Sequence, residues 1–257
     1  MIKDLFKNKD SYRIEQGKYI FQKLEFSDIS DVFDKVKSIF KKYPKFYYFL
    51  INLISPMMEN KKVDDFLEKY VNEETIALNI GSGNSQISKH VYNVDIFAYD
   101  NVDVVCDIAD LPFKDNSVDV VLNLVVLEHV PNPQQVMAEM HRVLKPDGII
   151  YTAIPFIQGF HASPYDFTRL TEEGIKVLHK DFQQIDLRPF GGPTSGLLCI
   201  LQEYIAILFS FGNKKIHLFI HLLSMLLTFP LKFLDYFLIH HPMAKNIAAG
   251  FVYIGKK

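Results

Sequence analysis

Read by the spacing of its apolar positions, the chain divides into three stretches. Between residues 28 and 72, apolar side chains recur at steps of three and four, the period of a helix with one buried face. Ile29, Val32, Phe33, Val36, Ile39 and Phe40 form one such stripe, and Ser27 is placed to cap its first turn. The aromatic-rich run Lys45–Ile54 predicts a second helix, broken by Ser55-Pro56, and Val63–Val71 a third. Together they predict a helical N-terminal cap within residues 1–74; residues 1–26 show no clear period.

From residue 75 the period changes. Strand-length apolar runs at about 76–80, 91–95, 102–106, 118–123, 149–154 and 182–187 alternate with helical segments at about 84–89, 133–144 and 171–180. Such alternation predicts an α/β fold, a parallel sheet covered on both faces. Gly250–Gly255 reads as one more strand, so the sheet domain is expected to comprise residues 75–196 and 246–257.

Between those two parts the polar positions almost vanish. Leu197–Phe211 carries one charge, Glu203; Ile216–Leu231 carries none over 16 residues; Phe233–Ile239 adds only Asp235. A membrane-spanning helix wants about 20 apolar residues, so the charge-free run falls short of one. If strands 182–187 and 250–255 belong to one sheet, both ends of the segment lie on the same side, which counts against a single crossing. The turn Asn213-Lys214-Lys215 predicts an apolar helical hairpin, inserted as residues 197–245 before the last strand. A face of that kind needs a cover. A lid over an apolar acceptor, a surface-lying membrane contact and a homodimer interface through residues 197–241 all satisfy it.

Composition narrows the class. With 257 residues, 49% hydrophobic and 23% charged, the chain can bury a sizeable core. A net charge of −2 argues against a nucleic-acid partner. Cys106 and Cys199 sit in apolar runs without a CxxC, as buried reduced thiols would. With no apolar run for a signal peptide at Met1-Ile2-Lys3-Asp4, a cytoplasmic location is expected, with membrane association left open by the hairpin. His217 and His221 share a helix face but have no grouped acids or cysteines, so no metal site is expected.

The chemistry concentrates at strand ends. The first strand runs into Leu78-Asn79-Ile80-Gly81-Ser82-Gly83, the second ends in Asp95, the third in Asp107. Leu111-Pro112-Phe113, Val118–Asn123, and a helix Pro133–Leu144 closed by Lys145-Pro146-Asp147-Gly148 follow. This order resembles the class I S-adenosylmethionine-dependent methyltransferases, in the branch with LPF, LEHV and RVLKPGG-type motifs. The resemblance is strong over roughly residues 75–155. It implies a Rossmann-like, doubly wound, mainly parallel sheet of seven strands, the last entering antiparallel, and S-adenosylmethionine as cofactor.

The resemblance also assigns roles. Gly81, Ser82 and Gly83 would form the cofactor loop, and Asn79 stands where the family has an acid, still able to hydrogen-bond the methionine part. Ser85 replaces a third glycine. Asp95 would accept from both ribose hydroxyls, with Asp100 as its rival. Asp107 would accept from the adenine amino group and Ile108 donate its backbone N–H to the ring. Asn123 and Leu124 would open the second half of the pocket. Nicotinamide chemistry fits poorly, because Gln86 occupies the sixth position of Gly-x-Gly-x-x-Gly.

For an acceptor, His161 is the candidate general base with Asp166 orienting it, in a loop that also holds Tyr165 and Arg169. His129, beside Glu128, is either a second proton acceptor or a loop-orienting residue. The expected activity is O- or N-methylation of a small-molecule or lipid- or sugar-linked acceptor. A noncatalytic binding module on the same fold is the alternative, favoured by Asn79 and Ser85.

Overall fold

The computed structural model describes residues 2–8, 11–21, 55–57, 62–161 and 164–257. The helices expected at 28–40 and 45–54 lie outside the described residues. Among the described residues one sheet organises the chain. Its strands are β1 (Arg13–Glu15), β2 (Lys18–Ile20), β3 (Ala77–Ile80), β4 (Val91–Asp95), β5 (Val104–Val105), β6 (Val118–Leu124), β7 (Leu144–Pro155), β8 (Gln183–Phe190) and β9 (Gly250–Lys256). They lie in the order β1-β2-β5-β4-β3-β6-β7-β9-β8.

The central strands β5, β4, β3, β6 and β7 pair in parallel, and β9 enters antiparallel between β7 and β8. That is the arrangement the resemblance implied, with its direction switch at β3. β3 is buried at all four positions, as a strand packed on both faces must be. Helix α1 (Lys62–Tyr70) covers one face with Phe66 and Leu67, which pack with Ala77, Val91, Val120 and Leu122. Helix α2 (Pro133–Val143) covers the other with Val136, Met137, Met140 and Val143. Asn132 caps α2 through the N–H of Gln135, and Pro133 opens its first turn.

Three expectations change. The sheet has nine strands, not seven, because β1 and β2 form a hairpin that adds to the β5 edge, β2 parallel to β5. Residues 2–8 and 11–21 are therefore part of the sheet layer and not of a helical cap. Phe6 locks them down: it is fully buried among Tyr12, Tyr19, Phe21 and Phe113, so the Leu-Pro-Phe motif packs against the N-terminus. Second, no helix forms at 84–89. Asn84, Ser85 and Ser88 offer the backbone side-chain alternatives, and the ten residues between β3 and β4 leave no length for a stable helix. Third, the apolar insertion begins at Pro193 and not at residue 197.

The insertion is a hairpin of α4 (Pro193–Ser210) and α5 (Lys214–Thr228), followed by a 3-10 stretch (Phe229–Leu234) and a short α6 (Asp235–Leu238). Its base is fixed by Asp235, fully buried, whose carboxylate accepts from the N–H groups of Thr194 and Ser195 at 2.9 and 2.8 Å and from the Ser195 hydroxyl at 2.7 Å. A carboxylate there answers the orphan donors of the α4 N-terminus and its dipole. Gly192 leaves room for it: a Cβ would lie 2.5 Å from Asp235 Oδ1. Gly196 is likewise packed, its Cβ position 2.1 Å from the Ile247 carbonyl.

α3 (Glu172–Leu178) ends at His179, which is 1% exposed, bonded through Nε2 to Thr152 and through Nδ1 to the Ile175 carbonyl, and stacked on Tyr253. Burial pushes its pKa down to about 4, so it folds neutral. The unfolded chain takes up this proton near pH 6.5. The stability His179 contributes is therefore complete above pH 6.5 and is lost as pH falls toward 4, about 3 kcal/mol in all. Denaturant melts between pH 7 and 4 should show this loss, and His179→Gln should flatten it.

Candidate active site

The carboxyl ends of β3, β4, β5 and β6 open into a cavity of about 540 Å³. It is bounded by the loops that leave each strand: Gly81-Ser82-Gly83; Asp95, Ile96, Phe97 and Tyr99; Asp107 and Ile108; Leu124, Val125 and Val126; then His129, Val130 and Pro131. Pro164, Tyr165 and Phe167, from the loop after β7, close one side. Such a cleft, at the switch point of an open parallel sheet, is where this topology places a ligand.

Asp95 organises the first wall. It is 6% exposed; Oδ2 accepts the Gly83 N–H at 2.8 Å and Oδ1 the Phe97 N–H at 2.9 Å. Burial raises its pKa, and the N–H groups of Phe97 and Gly83 pull the other way. Asp95 lines the cavity, whereas Asp100 is exposed and is not among the lining residues. Asp107 also faces the cavity, while its Oδ1 caps the turn at the Ala109 N–H at 2.8 Å. Lys18 supports this wall from behind, donating to the carbonyls of Tyr99 and Asp100 at 2.7 and 2.8 Å.

The two glycines differ in purpose. Gly81 has φ +73°, and a Cβ there would lie 2.5 Å from Val126. Gly83 has φ +54° with open space where a Cβ would be. Gly81 thus lets β6's exit loop close in, and Gly83 leaves its backbone bare toward the cavity. Val125 is a β-branched residue at φ +58°, local strain of the sort that gathers at functional sites.

Not every expected residue reaches the cavity. Asn79 is 2% exposed and donates to Asn93 Oδ1 at 3.1 Å; Asn123 is fully buried and donates to the Ile80 carbonyl at 3.1 Å. Both amides sit inside the sheet, below the floor, and do not line the cavity. Asp166 does not orient the His161 ring by a side-chain hydrogen bond either. Its Oδ2 is 4.0 Å from His161 Nδ1 and accepts the His161 backbone N–H at 2.8 Å, and both its oxygens pair with Arg169. Burial alone would raise its carboxyl, but the Arg169 guanidinium prevails and the pKa is lowered.

The carboxylate that faces His161 is Glu128, 3.5 Å from Nε2, and it also lies 3.7 Å from His129 Nε2. Glu128 is fully buried. It raises the His161 pKa against the effect of burial. His129, not His161, forms the cavity wall; the two rings meet edge to face at 5.2 Å. Glu128 was visible in the sequence only as one letter of a common motif, and its inward aim depends on the short 3-10 turn Leu127–His129.

Two carboxylates, one imidazole and no lysine or arginine stand among the residues lining the cavity. No helix N-terminus points at it from the glycine loop either. A pyrophosphate would find nothing to bind, whereas a cation bearing a sugar and a flat ring would meet acceptors and apolar walls. Residues 63–152 match the family model of a methyltransferase domain.

This segment is a class I methyltransferase domain.

S-adenosylmethionine is the cofactor of that family, and the cavity's charge fits it. Uncharacterized methyltransferases of Mycobacterium tuberculosis are 55% identical over 40 residues, which is 16% of this chain and 16% of the relative. Ribosomal RNA-processing protein 8 of Rattus norvegicus is 30% identical over 130 residues, 47% of this chain and 28% of that protein. The alignments thus cover about a sixth to just over a quarter of the relatives' lengths. Among solved structures, the [4+2]-cyclase SpnF superposes with a TM-score of 0.50 at 13% identity, covering 77% of this chain and 80% of that one, and so shares the fold.

The glycine pair supplies a test of the methyltransferase domain's loop. Gly83→Ala is expected to cost only the left-handed backbone penalty, about 1–2 kcal/mol. Gly81→Ala adds the clash with Val126 and should cost about 2–5 kcal/mol. Chemical denaturation of both variants measures the gap; equal losses would mean that the approach of Val126 imposes no constraint.

Proposed function

We propose that the protein is an S-adenosylmethionine-dependent methyltransferase acting on a small or lipid-linked acceptor at a membrane surface. The observation that carries the methyl-transfer reading is the cavity's composition: carboxylates at the ends of two successive strands, an open glycine, and no cation. When bound, S-adenosylmethionine supplies a sulfonium methyl as electrophile. In this reading Asp95 accepts from the ribose hydroxyls, Asp107 from the adenine amino group, and Ile108 donates to the ring. Gly81–Gly83 present backbone groups to the methionine part, while Leu124 and Val125 exclude water beside it. The sequence expectation for Asn79 and Asn123 becomes a supporting role from beneath.

On the acceptor side the wall offers His129. Its Nδ1 faces the Tyr165 carbonyl at 2.6 Å, which leaves the Nε2 lone pair to receive a proton from a hydroxyl or amine. His161 stands behind it with Glu128. Much of the rate in such a transfer comes from alignment, which the rigid strand ends provide.

The membrane part rests on how the hairpin is built. The residues it hides are mostly small or polar: Ser195, Gly196, Gln202, Ala206 and Ser210 on α4, and Ser224 on α5. Gln202 bonds Thr228, and Glu203 reaches His217 at 3.0 Å. Outward stand Ile207, Phe209, Phe211, Phe219, Leu227 and Phe237, each more than half exposed. A soluble hairpin buries its large apolar residues; polar contacts inside and apolar side chains outside suit lipid. Helices α4 and the stretch Lys214–Leu238 are long and apolar enough for a bilayer by length and composition. Since β8 and β7 run in the same direction, the hairpin leaves the sheet at the cavity's own edge.

A second reading, binding or catalysis without methyl transfer, is favoured by the buried Asn79 and by the cyclase that shares this fold.

Calorimetry with S-adenosylhomocysteine should show one site, weakened by about 1–3 kcal/mol in Asp95→Ala. Absence of binding at millimolar ligand would end the enzyme reading. Independently, the protein should float with anionic liposomes, and Phe219→Glu with Leu227→Glu should abolish flotation. A monomer that stays at the bottom of the gradient would refute the membrane reading alone.

A further inference from the structure

Glu128 poses an electrostatic problem that the methyl-transfer reading leaves unsolved. It is 0% exposed, and neither carboxylate oxygen has a hydrogen-bond partner among the described residues. A bare buried carboxylate costs several kcal/mol unless a positive charge sits beside it. Arg169 does not supply that charge: its guanidinium is engaged by both oxygens of Asp166 and by the carbonyls of Gln158, Gly159 and Thr168. What faces Glu128 is the pair of Nε2 atoms of His129 and His161, at 3.7 and 3.5 Å from Oε1.

Those imidazoles are held from their far sides. His129 Nδ1 lies 2.6 Å from the Tyr165 carbonyl and His161 Nδ1 3.2 Å from the Gly159 carbonyl. Arg169 Nη2 is also 3.2 Å from His161 Nδ1. A carbonyl accepts only, so His129 Nδ1 carries its proton there and its Nε2 turns a lone pair toward Glu128; His161 Nδ1 lies between a carbonyl and a guanidinium, and its Nε2 faces the same carboxylate. Two imidazole Nε2 atoms and a buried carboxylate thus converge on one point. Carbonyl-anchored imidazoles of this tautomer are how proteins present histidine to a metal.

We propose that Glu128, His129 and His161 bind a divalent transition-metal ion of the zinc or manganese type. One ligand atom from each lies within 4.8 Å of the others. Ligands about 2.1 Å from a tetrahedral ion stand about 3.4 Å apart, so the two carboxylate–imidazole separations already fit and a small rotation of the rings completes the set. Two imidazoles with one carboxylate favour such ions over magnesium or calcium, which prefer oxygen. Three protein ligands leave coordination positions open. Because His129 lines the cavity, those positions face the acceptor side. The use of the ion rests on the methyl-transfer reading: an oxygen donor of the acceptor would complete the shell, and His129 would then hold the ion and not take up a proton. The existence of the ion does not rest on that reading.

The experiment needs neither cofactor nor acceptor. Full-length protein stripped with a chelator is titrated calorimetrically with Zn²⁺ and with Mn²⁺, and its melting temperature is followed with and without each ion. One equivalent should bind with micromolar or tighter affinity and raise the melting temperature. Glu128→Gln and His161→Asn should each weaken binding at least 100-fold while remaining folded by circular dichroism. Glu203→Gln, which removes the carboxylate beside His217 and His221, should leave the tight equivalent intact. If the wild type binds no stoichiometric ion, or Glu128→Gln keeps its affinity, the proposal is overturned and the trio is a proton-sharing cluster. Should a variant fail to fold, loss of the metal-induced melting shift in the other one decides. Binding of S-adenosylhomocysteine, measured separately, reports on the methyltransferase reading and is independent of either result.

Discussion

The loop that leaves β3 has no helix to stand on, and the cavity depends on how the chain makes up for that. In a doubly wound sheet the first crossover helix ordinarily fixes the glycine loop. Here ten residues of turns and coil link β3 to β4. Two side chains take over. Asp95 reaches from the end of β4 to the N–H of Gly83 and also holds its own exit loop at Phe97. Val126 presses on Gly81 from the opposite side. The loop is braced between neighbouring strand ends, so its shape follows from sheet register and not from a helix of its own.

That bracing also accounts for the part of the molecule that local patterns revealed. Strands buried on both faces are continuous apolar runs, and their ends are marked by the glycines and acids that must stand at the edge. The parallel sheet came from the alternation of strands and helices and the antiparallel last strand from the resemblance, and Gly81, Gly83, Asp95, Asp107, Ile108 and Leu124 line the cavity. What escaped reading depends on distant partners. β1 is exposed at all three positions and has no apolar signature; its turn, Gln16-Gly17 with both residues at positive φ, was the available hint. Asn79 meets Asn93 and Asn123 meets Ile80 across the sheet, so polar letters that suggested a ligand turn out to serve the floor. Asp166 and Arg169 are three residues apart, yet only the fold shows that they satisfy each other and leave His161 to Glu128.

The hairpin obeys a different solvent rule from the sheet. Around the sheet, large apolar residues are inside and charges outside. In α4 and α5 the order is reversed, and Asp235 marks the border by spending its charge on the first turn of α4. The charge-free run predicted the helices correctly, but periodicity could not say which face was hidden. Only the structure shows that Gln202 turns inward, to Thr228, while Glu203 joins the two helices through a partly exposed contact with His217.

Phe190 and Gly250 are direct partners in the sheet, and so are Pro155 and Gly250. The whole insertion therefore begins and ends at adjacent points of one rigid edge, as though it were an oversized turn between two antiparallel strands. A segment attached in that way imposes almost no demand on the register of its host. It can lengthen, shorten or change its surface chemistry across evolutionary time while the strand ends that shape the cavity stay where they are. The architecture thus separates what a catalyst must conserve from what a habitat asks it to vary.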